Sequence, residues 1–315
     1  MSDLASPLSS SNTRNTSGVD TDIRAVVSRL VVYPVKSCAG VDVKEAILTE
    51  TGLEFDRAWM VVDERGEFLT QRELPRMALI RPQLRHYDMV LRAPGMLTLH
   101  IALDEVDQPN RVRLWGEECA AFDMGPIAAQ WFSDFLGQPA RLVRFDPDEK
   151  RLSSLKWTGG VEAQNQFNDG FPLLLVSEAS LDGLNEKLAA TGSAAVSMLR
   201  FRPNIVITGS AVSNTPGGLL PHDEDRFDEV QIHTEQGPVL LKPVKPCPRC
   251  PIPNVDPDTA VVSTAVGDML QTYRQDARLN GAVSFGMNLI ARDGGEHEDR
   301  LLKVGQPVTA SYGFE

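Results

Sequence analysis

Two cysteines and an arginine lie close together in the segment 242–260, and their residue types suit metal binding or nucleophilic chemistry. Cys247 and Cys250 flank Arg249, and thiolates held beside a cation bind soft metals and react as nucleophiles. Proline fixes φ and lacks an amide donor, so the sequence predicts a stiff loop here, outside helix interiors and central strands. The five prolines behind this prediction are Pro243, Pro246, Pro248, Pro251 and Pro253.

Three other interpretations of this cysteine pair stay open. A buried free cysteine is a common small apolar side chain whose packing carries no function. A zinc site would need two more ligands, but Cys38 and Cys119 are single and distant, and the five histidines form no paired spacing. A thioredoxin-like redox pair would lie at a strand-to-helix turn, and no amphipathic helix pattern starts at Cys250.

Basic residues also lie next to three predicted strands. Lys36 and Ser37 follow a strand rich in β-branched residues, and both can donate hydrogen bonds to a phosphate. The alternative is a plain strand end with a solvated lysine, which this segment alone favours. Arg57 follows Asp56, and such a neighbour pair is usually a structural ion pair. Arg202 precedes another strand, where the alternative is a solvated charge.

Eight motifs in the chain together resemble the MOSC-domain family, in the branch with bacterial N-hydroxylated-base reductases and the mitochondrial amidoxime-reducing components. One such motif is a weak signal, whereas several in the same order are a strong one. The likeness runs from about residue 26 to about residue 312. In chain order the motifs are Tyr33-Pro-Val-Lys-Ser-Cys-x-Gly, Phe55-Asp-Arg-x-Trp, Thr70-Gln-Arg, Phe171-Pro-Leu-Leu-Leu-Val-Ser-Glu-Ala-Ser, Phe201-Arg-Pro-Asn, Lys245-Pro-Cys-x-Arg-Cys, Val255-Asp-Pro-Asp-Thr and Gly286-Met-Asn-Leu.

The resemblance implies a site for the molybdenum cofactor, in which molybdopterin holds the metal. In this family the second cysteine of the loop, here Cys250, is the protein ligand of molybdenum. The resemblance also implies that Lys36 and Ser37 contact the pterin part of the cofactor. It places Arg57 and Arg202 against the cofactor as well.

Four more cofactor contacts are expected from two loops. Gly170 ends a predicted turn, Asn168-Asp169-Gly170, whose backbone amides are expected to face a ligand, and Phe171 begins the apolar strand that follows. Pro248 and Arg249 belong to the cysteine loop, and Pro248 stands where some relatives have serine, so any side-chain hydrogen bond from that position is lost here. Two more arginines near the motifs have no assigned role: Arg72 and Arg76.

The function implied by the resemblance is the two-electron reduction of N-hydroxylated compounds: amidoximes, hydroxylamines and N-hydroxylated bases. No cysteine follows Cys250, whereas some bacterial relatives carry a C-terminal ferredoxin domain. We therefore expect a separate electron-donor protein: a ferredoxin, a flavoprotein reductase or a b-type cytochrome. Two alternatives are a non-catalytic carrier of the cofactor or of sulfur, and a β-barrel ligand binder with an incidental cysteine loop.

The overall composition limits the partners and the compartment. A net charge of −12 and a pI of about 5.0 argue against nucleic acid and anionic membrane surfaces as partners. No apolar run approaches the roughly 18 residues that a membrane span needs. Four cysteines in 315 residues do not make a disulfide framework, so we expect a reducing, cytoplasmic location. Screening over about 8 Å still allows a local cluster of cations.

Many short strands with few helices predict a mostly β chain of the α+β class. Residues 1–24 are polar, lack an apolar signal segment and are predicted to be a disordered tail. The resemblance then divides the chain into an N-terminal MOSC β-barrel-like domain at 25–146 and a C-terminal MOSC β-barrel domain at 147–312.

Hydrophobic periodicity and capping residues predict the elements that position the motifs. Helices are expected at 126–136, after an N-cap at Ser177, and at 264–273. A hairpin over 230–244 leads into the cysteine loop. The acidic stretch 223–229 is predicted to be a solvated loop.

Overall fold

The computed structural model describes residues 21–210, 218–292 and 300–313, and within these ranges it is mostly β, as predicted. Its strands are β1 (Ile23–Val32), β2 (Val41–Val43), β3 (Glu45–Thr49), β4 (Gly52–Leu53), β5 (Trp59–Val62), β6 (Arg81–Leu84), β7 (Asp88–Arg92), β8 (Leu99–Ala102), β9 (Pro109–Leu114), β10 (Glu117–Asp123), β11 (Arg141–Phe145), β12 (Leu173–Ser177), β13 (Ile205–Gly209), β14 (Phe227–Thr234), β15 (Gly237–Pro248), β16 (Gln275–Asp276), β17 (Ala282–Ala291), β18 (Arg300–Lys303) and β19 (Pro307–Tyr312).

Four α-helices and several short 3₁₀ helices complete the described ranges. The α-helices are α1 (Gly125–Leu136), α2 (Leu155–Thr158), α3 (Glu178–Ala190) and α4 (Ala265–Tyr273). None of these helices has the length and apolar character to cross a bilayer. The 3₁₀ helices are Pro75–Leu79, Met198–Phe201, Asp223–Arg226, Ile252–Asn254 and Ala277–Leu279.

Seven strands close into a barrel in the order β12, β13, β1, β19, β14, β15 and β17, because β17 pairs back with β12. All pairs are antiparallel except β12 with β13. The first strand shows why the barrel forms: Ile23, Ala25 and Val27 are buried while Arg24 is exposed, the alternation of a strand with one face on a core. Leu175 and Leu289 meet these residues inside the barrel.

The N-terminal part adds a four-stranded sheet, β5-β11-β10-β9, and a three-stranded sheet, β6-β7-β8. Trp59 and Val61 of β5 face one apolar cluster, whereas Met60 and Val62 face another. Because side chains alternate along a strand, this continuous apolar run buries both faces of the sheet. The aromatic side chains of α1, which are Trp131, Phe132 and Phe135, pack in the first of these clusters.

The predicted tail, 1–24, lies almost wholly outside the described residues. Its end was placed too late, because Ile23 and Arg24 already belong to β1 and pair with β19. The division at residues 146 and 147 stays a prediction. The barrel itself draws β1 from before that point and its other six strands from after it.

The prediction of a loop for all of 242–260 is wrong for its first residues, because β15 continues to Pro248 and pairs with β17. The register shifts at Pro243–Lys245 and at Pro246–Pro248. Pairing of β15 with β14 ends at Leu241, so these prolines lie where the strand has a partner on one side only, and the bulges accommodate their missing amide donors. The expected loop begins after Pro248.

The prediction of a solvated acidic loop at 223–229 is also wrong. Glu224 is fully buried, and its carboxylate accepts hydrogen bonds from the hydroxyls of Ser177, 2.8 Å away, and Ser180, 2.6 Å away. These hydroxyl donors replace the hydrogen bonds of water, so the charge of this stretch was a poor guide to its exposure. Burial still raises the pKa of Glu224. Ser177 also caps α3 by accepting from the Ser180 amide, as predicted.

Candidate functional site

One cavity lies at the end of the barrel where β1 and β15 finish and β12 and β13 begin. It holds about 800 Å³ of empty space, part of it open to solvent. All nine residues predicted for the site line this cavity, although they span the chain from position 36 to position 250. They are Lys36, Ser37, Arg57, Gly170, Phe171, Arg202, Pro248, Arg249 and Cys250.

Three of these residues have left-handed backbones although none is glycine. The φ angles are 66° at Ser37, 53° at Arg57 and 55° at Arg202. Each such conformation costs on the order of 1 kcal/mol for a residue with a side chain, and it persists where the surrounding structure fixes it, typically at binding sites. These turns bring three distant segments to the same cavity.

Lys36 is a buried lysine in the cavity wall, so the solvated alternative is excluded. Its side chain is 8% exposed, and its Nζ donates to the carbonyl of Phe167 at 2.8 Å and to the carboxylate of Asp169 at 2.5 Å. Burial lowers the pKa of Lys36, and the negative charge of Asp169 opposes that shift. The carboxylate therefore keeps a buried ammonium in place at the cavity.

Arg57 forms the expected ion pair with Asp56 and lines the cavity as well. Asp56 is 1% exposed, and it also accepts from the Tyr33 amide at 2.8 Å and from the Asn168 side chain at 3.2 Å. The other end of the guanidinium donates to the carbonyl of Arg202 at 3.2 Å. The charge of Arg57 is thus balanced from behind the cavity wall.

Arg202 is a cation in the cavity wall whose charge is not balanced by an acid. In the described ranges it forms no salt bridge; its Nη1 donates to the Cys38 carbonyl at 2.7 Å, and its Nη2 is buried without a partner. Burial, with the nearby charge of Arg57, lowers the pKa of Arg202 to about 10. An unpartnered buried donor is costly, so an anion here would be stabilised.

Arg249 lines the cavity, and three of its side-chain donors bond to backbone carbonyls. Nε and Nη2 donate to the carbonyl of Phe285, and Nη1 donates to the carbonyl of Phe201 at 2.9 Å. Its backbone amide also donates to the carbonyl of Val283 at 2.8 Å. Arg249 therefore ties the cysteine loop to β17 through three of its five N–H donors, and its charge lies at the cavity.

The two loop cysteines differ in their surroundings. Both line the cavity and both are half-buried, but Cys247 also packs against an apolar cluster, and burial raises its pKa. Within the described ranges no three His, Cys, Asp or Glu side chains converge as metal ligands, which leaves the zinc interpretation without support. After Cys250 comes only the 3₁₀ helix Ile252–Asn254, so a thioredoxin-like turn is absent from this part of the described chain.

The cavity wall is strongly basic although the whole chain carries −12. Among the described lining residues five are cationic and one is a carboxylate: Lys36, Arg57, Arg72, Arg202, Arg249 and Asp169. Such a wall suits a polyanion, and Cys250 adds one soft ligand for a metal held by that anion. Arg76 lies elsewhere, over the ring of Phe135 at 4.3 Å.

Sequence reasoning gave no role to several residues that shape this wall. Asp169 holds Lys36, and Asn168 donates to Asp56. Tyr33 lies under both Arg57 and Arg202, whose Cζ atoms are 4.4 Å and 4.2 Å from its ring centroid. Tyr33 opens the motif that contains Lys36, and this motif was the signal that could have found it.

Comparison with known proteins finds matches over most of the chain. Residues 24–139 match the model of the MOSC N-terminal beta barrel domain, and residues 162–309 match the model of the MOSC domain. Amidoxime-reducing component 2 of rat mitochondria is 35% identical over 299 residues, covering 90% of this chain and 82% of the relative. The human mitochondrial amidoxime-reducing component 1 is 36% identical over 297 residues, with 90% and 82% covered.

A human molybdenum cofactor sulfurase is also similar, at 28% identity over 300 residues, but the match covers 32% of that longer protein and 90% of this chain. The two amidoxime-reducing components are matched over most of their length, and both halves of the chain match MOSC models. The chain therefore belongs to the MOSC-domain family, in the branch that contains the amidoxime-reducing components.

Proposed function

We propose that this protein is a molybdenum-cofactor-dependent reductase of N-hydroxylated compounds. The observation that carries the proposal is the convergence of Cys250 and five cationic side chains on one cavity. Molybdopterin carries a phosphate and a dithiolene, so it is strongly anionic, and a buried anion is stabilised only by nearby hydrogen-bonded cations. The activity in the names of the two amidoxime-reducing relatives supports the same reaction class.

The residues of the cavity fit this cofactor. Arg202 presents a buried Nη2 that has no partner in the described chain, and it would donate to the cofactor. Lys36 and Ser37 would contact the pterin part. Cys250 would be the single protein ligand of the metal, because the dithiolene supplies the other sulfur ligands.

When bound, the molybdenum centre would supply the two-electron chemistry that removes the oxygen of an N–OH group as water. The chain would hold the cofactor and limit water in its site. The buried ammonium of Lys36 stays fixed by Asp169, and Arg249 keeps the loop of Cys250 against β17 through its bonds to Phe285. These contacts pre-organise the site, which reduces the reorganisation needed at each turnover.

The substrate in this proposal is a small N-hydroxylated molecule, and the electrons come from a separate protein. A ferredoxin, a flavoprotein reductase or a b-type cytochrome has suitable chemistry. A cytoplasmic location also stays a prediction, as do the absence of nucleic-acid partners and of membrane association.

Cofactor content and turnover test the proposal together. The protein, expressed in a host that makes the cofactor, is expected to contain about one molybdenum per chain, with a fluorescent pterin released on oxidation. With an artificial electron donor it should convert benzamidoxime to benzamidine. Protein that carries neither metal nor pterin after such expression would refute the cofactor assignment.

The alternative of a non-catalytic cofactor or sulfur carrier is favoured by the similarity to the molybdenum cofactor sulfurase. A carrier would contain the cofactor but would not turn over benzamidoxime or a hydroxylaminopurine. Cofactor-loaded protein without turnover, and with transfer of cofactor to an apo-acceptor, would select this alternative.

A further inference from the structure

Trp115 has a backbone conformation that disfavours a bulky side chain. Trp115 and Gly116 form the two-residue turn between β9 and β10, with φ angles of 57° and 83°. Two positive φ angles define a type I′ turn, for which Asn-Gly is the preferred sequence. A tryptophan at the first position is unusual, and such a conformation is kept where a functional site requires it.

The contacts of Trp115 place it at the rim of the cavity. Its indole Nε1 donates to the carboxylate of Asp169 at 3.2 Å. The guanidinium of Arg72 lies 4.5 Å from the centre of the indole, and the ring of Phe68 lies 4.9 Å away. Asp169 and Arg72 both line the cavity, so the β9–β10 turn reaches the rim from a different sheet.

The indole is not hidden by these contacts. Trp115 is 45% exposed, so part of the side chain is accessible to a ligand. Phe171 lines the same cavity. An exposed indole next to a guanidinium favours flat π systems, because both groups stack on aromatic rings. An aliphatic ligand of similar polarity gains little from either group.

We propose that Trp115, together with Arg72 and Phe68, binds the planar ring of the substrate by stacking. This rim group selects aromatic N-hydroxylated compounds, such as benzamidoxime or an N-hydroxylated purine, over aliphatic ones, such as acetamidoxime. The inference rests on the proposed reductase function, because that reaction defines which molecules are substrates. The stacking itself is a binding property and is measured separately.

Steady-state kinetics with benzamidoxime and acetamidoxime test the selectivity. Trp115→Asn is expected to lower kcat/KM for benzamidoxime about tenfold, mainly through KM, as stacking on an aromatic side chain allows. The value for acetamidoxime should stay within about twofold. Trp115→Phe keeps an aromatic face and should restore most of the preference. The matched control is Tyr87→Asn, because Tyr87 is an exposed aromatic residue outside the cavity lining.

Two further measurements separate the outcomes. Asn suits the type I′ turn, so Trp115→Asn should keep its Tm within a few degrees of the wild type; a clear loss of Tm with an equal loss for both substrates means a structural role and overturns the proposal. An unchanged substrate ratio overturns it as well.

Binding of benzamidine by calorimetry needs no turnover. Weaker binding in Trp115→Asn, with no turnover in the wild type, supports stacking while the reductase proposal fails. No benzamidine binding in the wild type overturns the stacking proposal.

Discussion

The guanidinium of Arg57 donates a hydrogen bond to the backbone carbonyl of Arg202, 3.2 Å away, and both side chains lie over the ring of Tyr33. Two like charges are therefore held as neighbours in a buried wall. They differ in their compensation, since Arg57 is paired with buried Asp56 while Arg202 has no acidic partner in the described ranges. This asymmetry separates an arginine that stabilises the fold from one that is available for an anion.

Replacing Arg202 should cost binding rather than stability. Arg202→Met removes the desolvation cost of an unbalanced buried cation, which offsets the loss of its hydrogen bond to the Cys38 carbonyl. We expect the Tm of the cofactor-free protein to stay within a few degrees of the wild type, and molybdenum content after expression in a competent host to fall to near zero. Thermal unfolding and elemental analysis measure the two quantities.

The neighbouring Arg57→Met is the contrasting variant. It leaves the carboxylate of Asp56 buried without its cation, which costs about 3 kcal/mol. A loss of stability in Arg202→Met as large as in Arg57→Met would contradict the asymmetry.

The two loop cysteines should respond differently to the same change. Cys250→Ser removes the proposed metal ligand while keeping the size and polarity of the half-buried site, so we expect lost benzamidoxime reduction with an unchanged far-UV circular dichroism spectrum. Cys247→Ser should keep molybdenum and activity, with a modest stability loss on the order of 1 kcal/mol from placing a hydroxyl in an apolar cluster. Full activity in Cys250→Ser would exclude its role as the ligand.

Arg249 should be sensitive to a substitution that keeps its charge. Arg249→Lys loses the forked bonds to the carbonyls of Phe201 and Phe285, because an ammonium cannot reach both in the same geometry. We expect the free energy of unfolding to fall by about 1–3 kcal/mol in urea denaturation. A variant as stable as the wild type, but without molybdenum, would instead assign its donors to the cofactor.

His222 should make the protein less stable in mild acid. Burial, with the charges of Arg274 and Lys187, lowers the pKa of His222 to about 3, whereas the unfolded chain titrates near about 6.5. The unfolded state therefore binds more protons between these values, and the free energy of unfolding falls as the pH decreases. From pH 7 to 5 the loss from this group is on the order of 1–2 kcal/mol.

The control for this pH dependence is His222→Asn, since φ at this position is 68° and asparagine tolerates that region. Nearby Glu224 has a pKa raised by burial, which gives the opposite trend, but it is present in both proteins and cancels in the difference. Urea denaturation at the two pH values should show a smaller acid loss in the variant. An equal loss of unfolding free energy between pH 7 and pH 5 in the two proteins would contradict the assignment to His222.

Much of the cavity could be predicted because its residues stand in long motifs with a fixed order. Lys36, Arg57, Arg202 and Cys250 were identified from the sequence alone, and they line one cavity. Their partners were harder to predict, because a charge partner such as Asp169 comes from a distant part of the chain. No local sequence pattern indicates that Arg202 has a free donor, because this depends on which acceptors from other parts of the chain lie near its guanidinium.

The errors in the predicted fold have a similar origin. Prolines predicted a loop over 242–260, but a proline is tolerated in β15 once one side of the strand has no partner and the register shifts. The acidic stretch was judged by its charge, although two serines of α3 and its N-cap supply donors to Glu224. Trp115 carried one sequence signal, a tryptophan where a turn prefers asparagine, and the signal had meaning only after the hairpin was known.

The position of β1 limits how this chain can be divided. β1 lies between β13 and β19 in the barrel, yet it precedes the whole segment matched by the MOSC domain model at 162–309. A fragment excised at that boundary would lack one strand of the barrel. It would leave β13 and β19 with unpaired hydrogen-bonding edges, which are prone to pair with other chains. The two matched segments are therefore not interchangeable modules, and any shortened or recombined version of the chain has to retain β1 to keep its barrel closed.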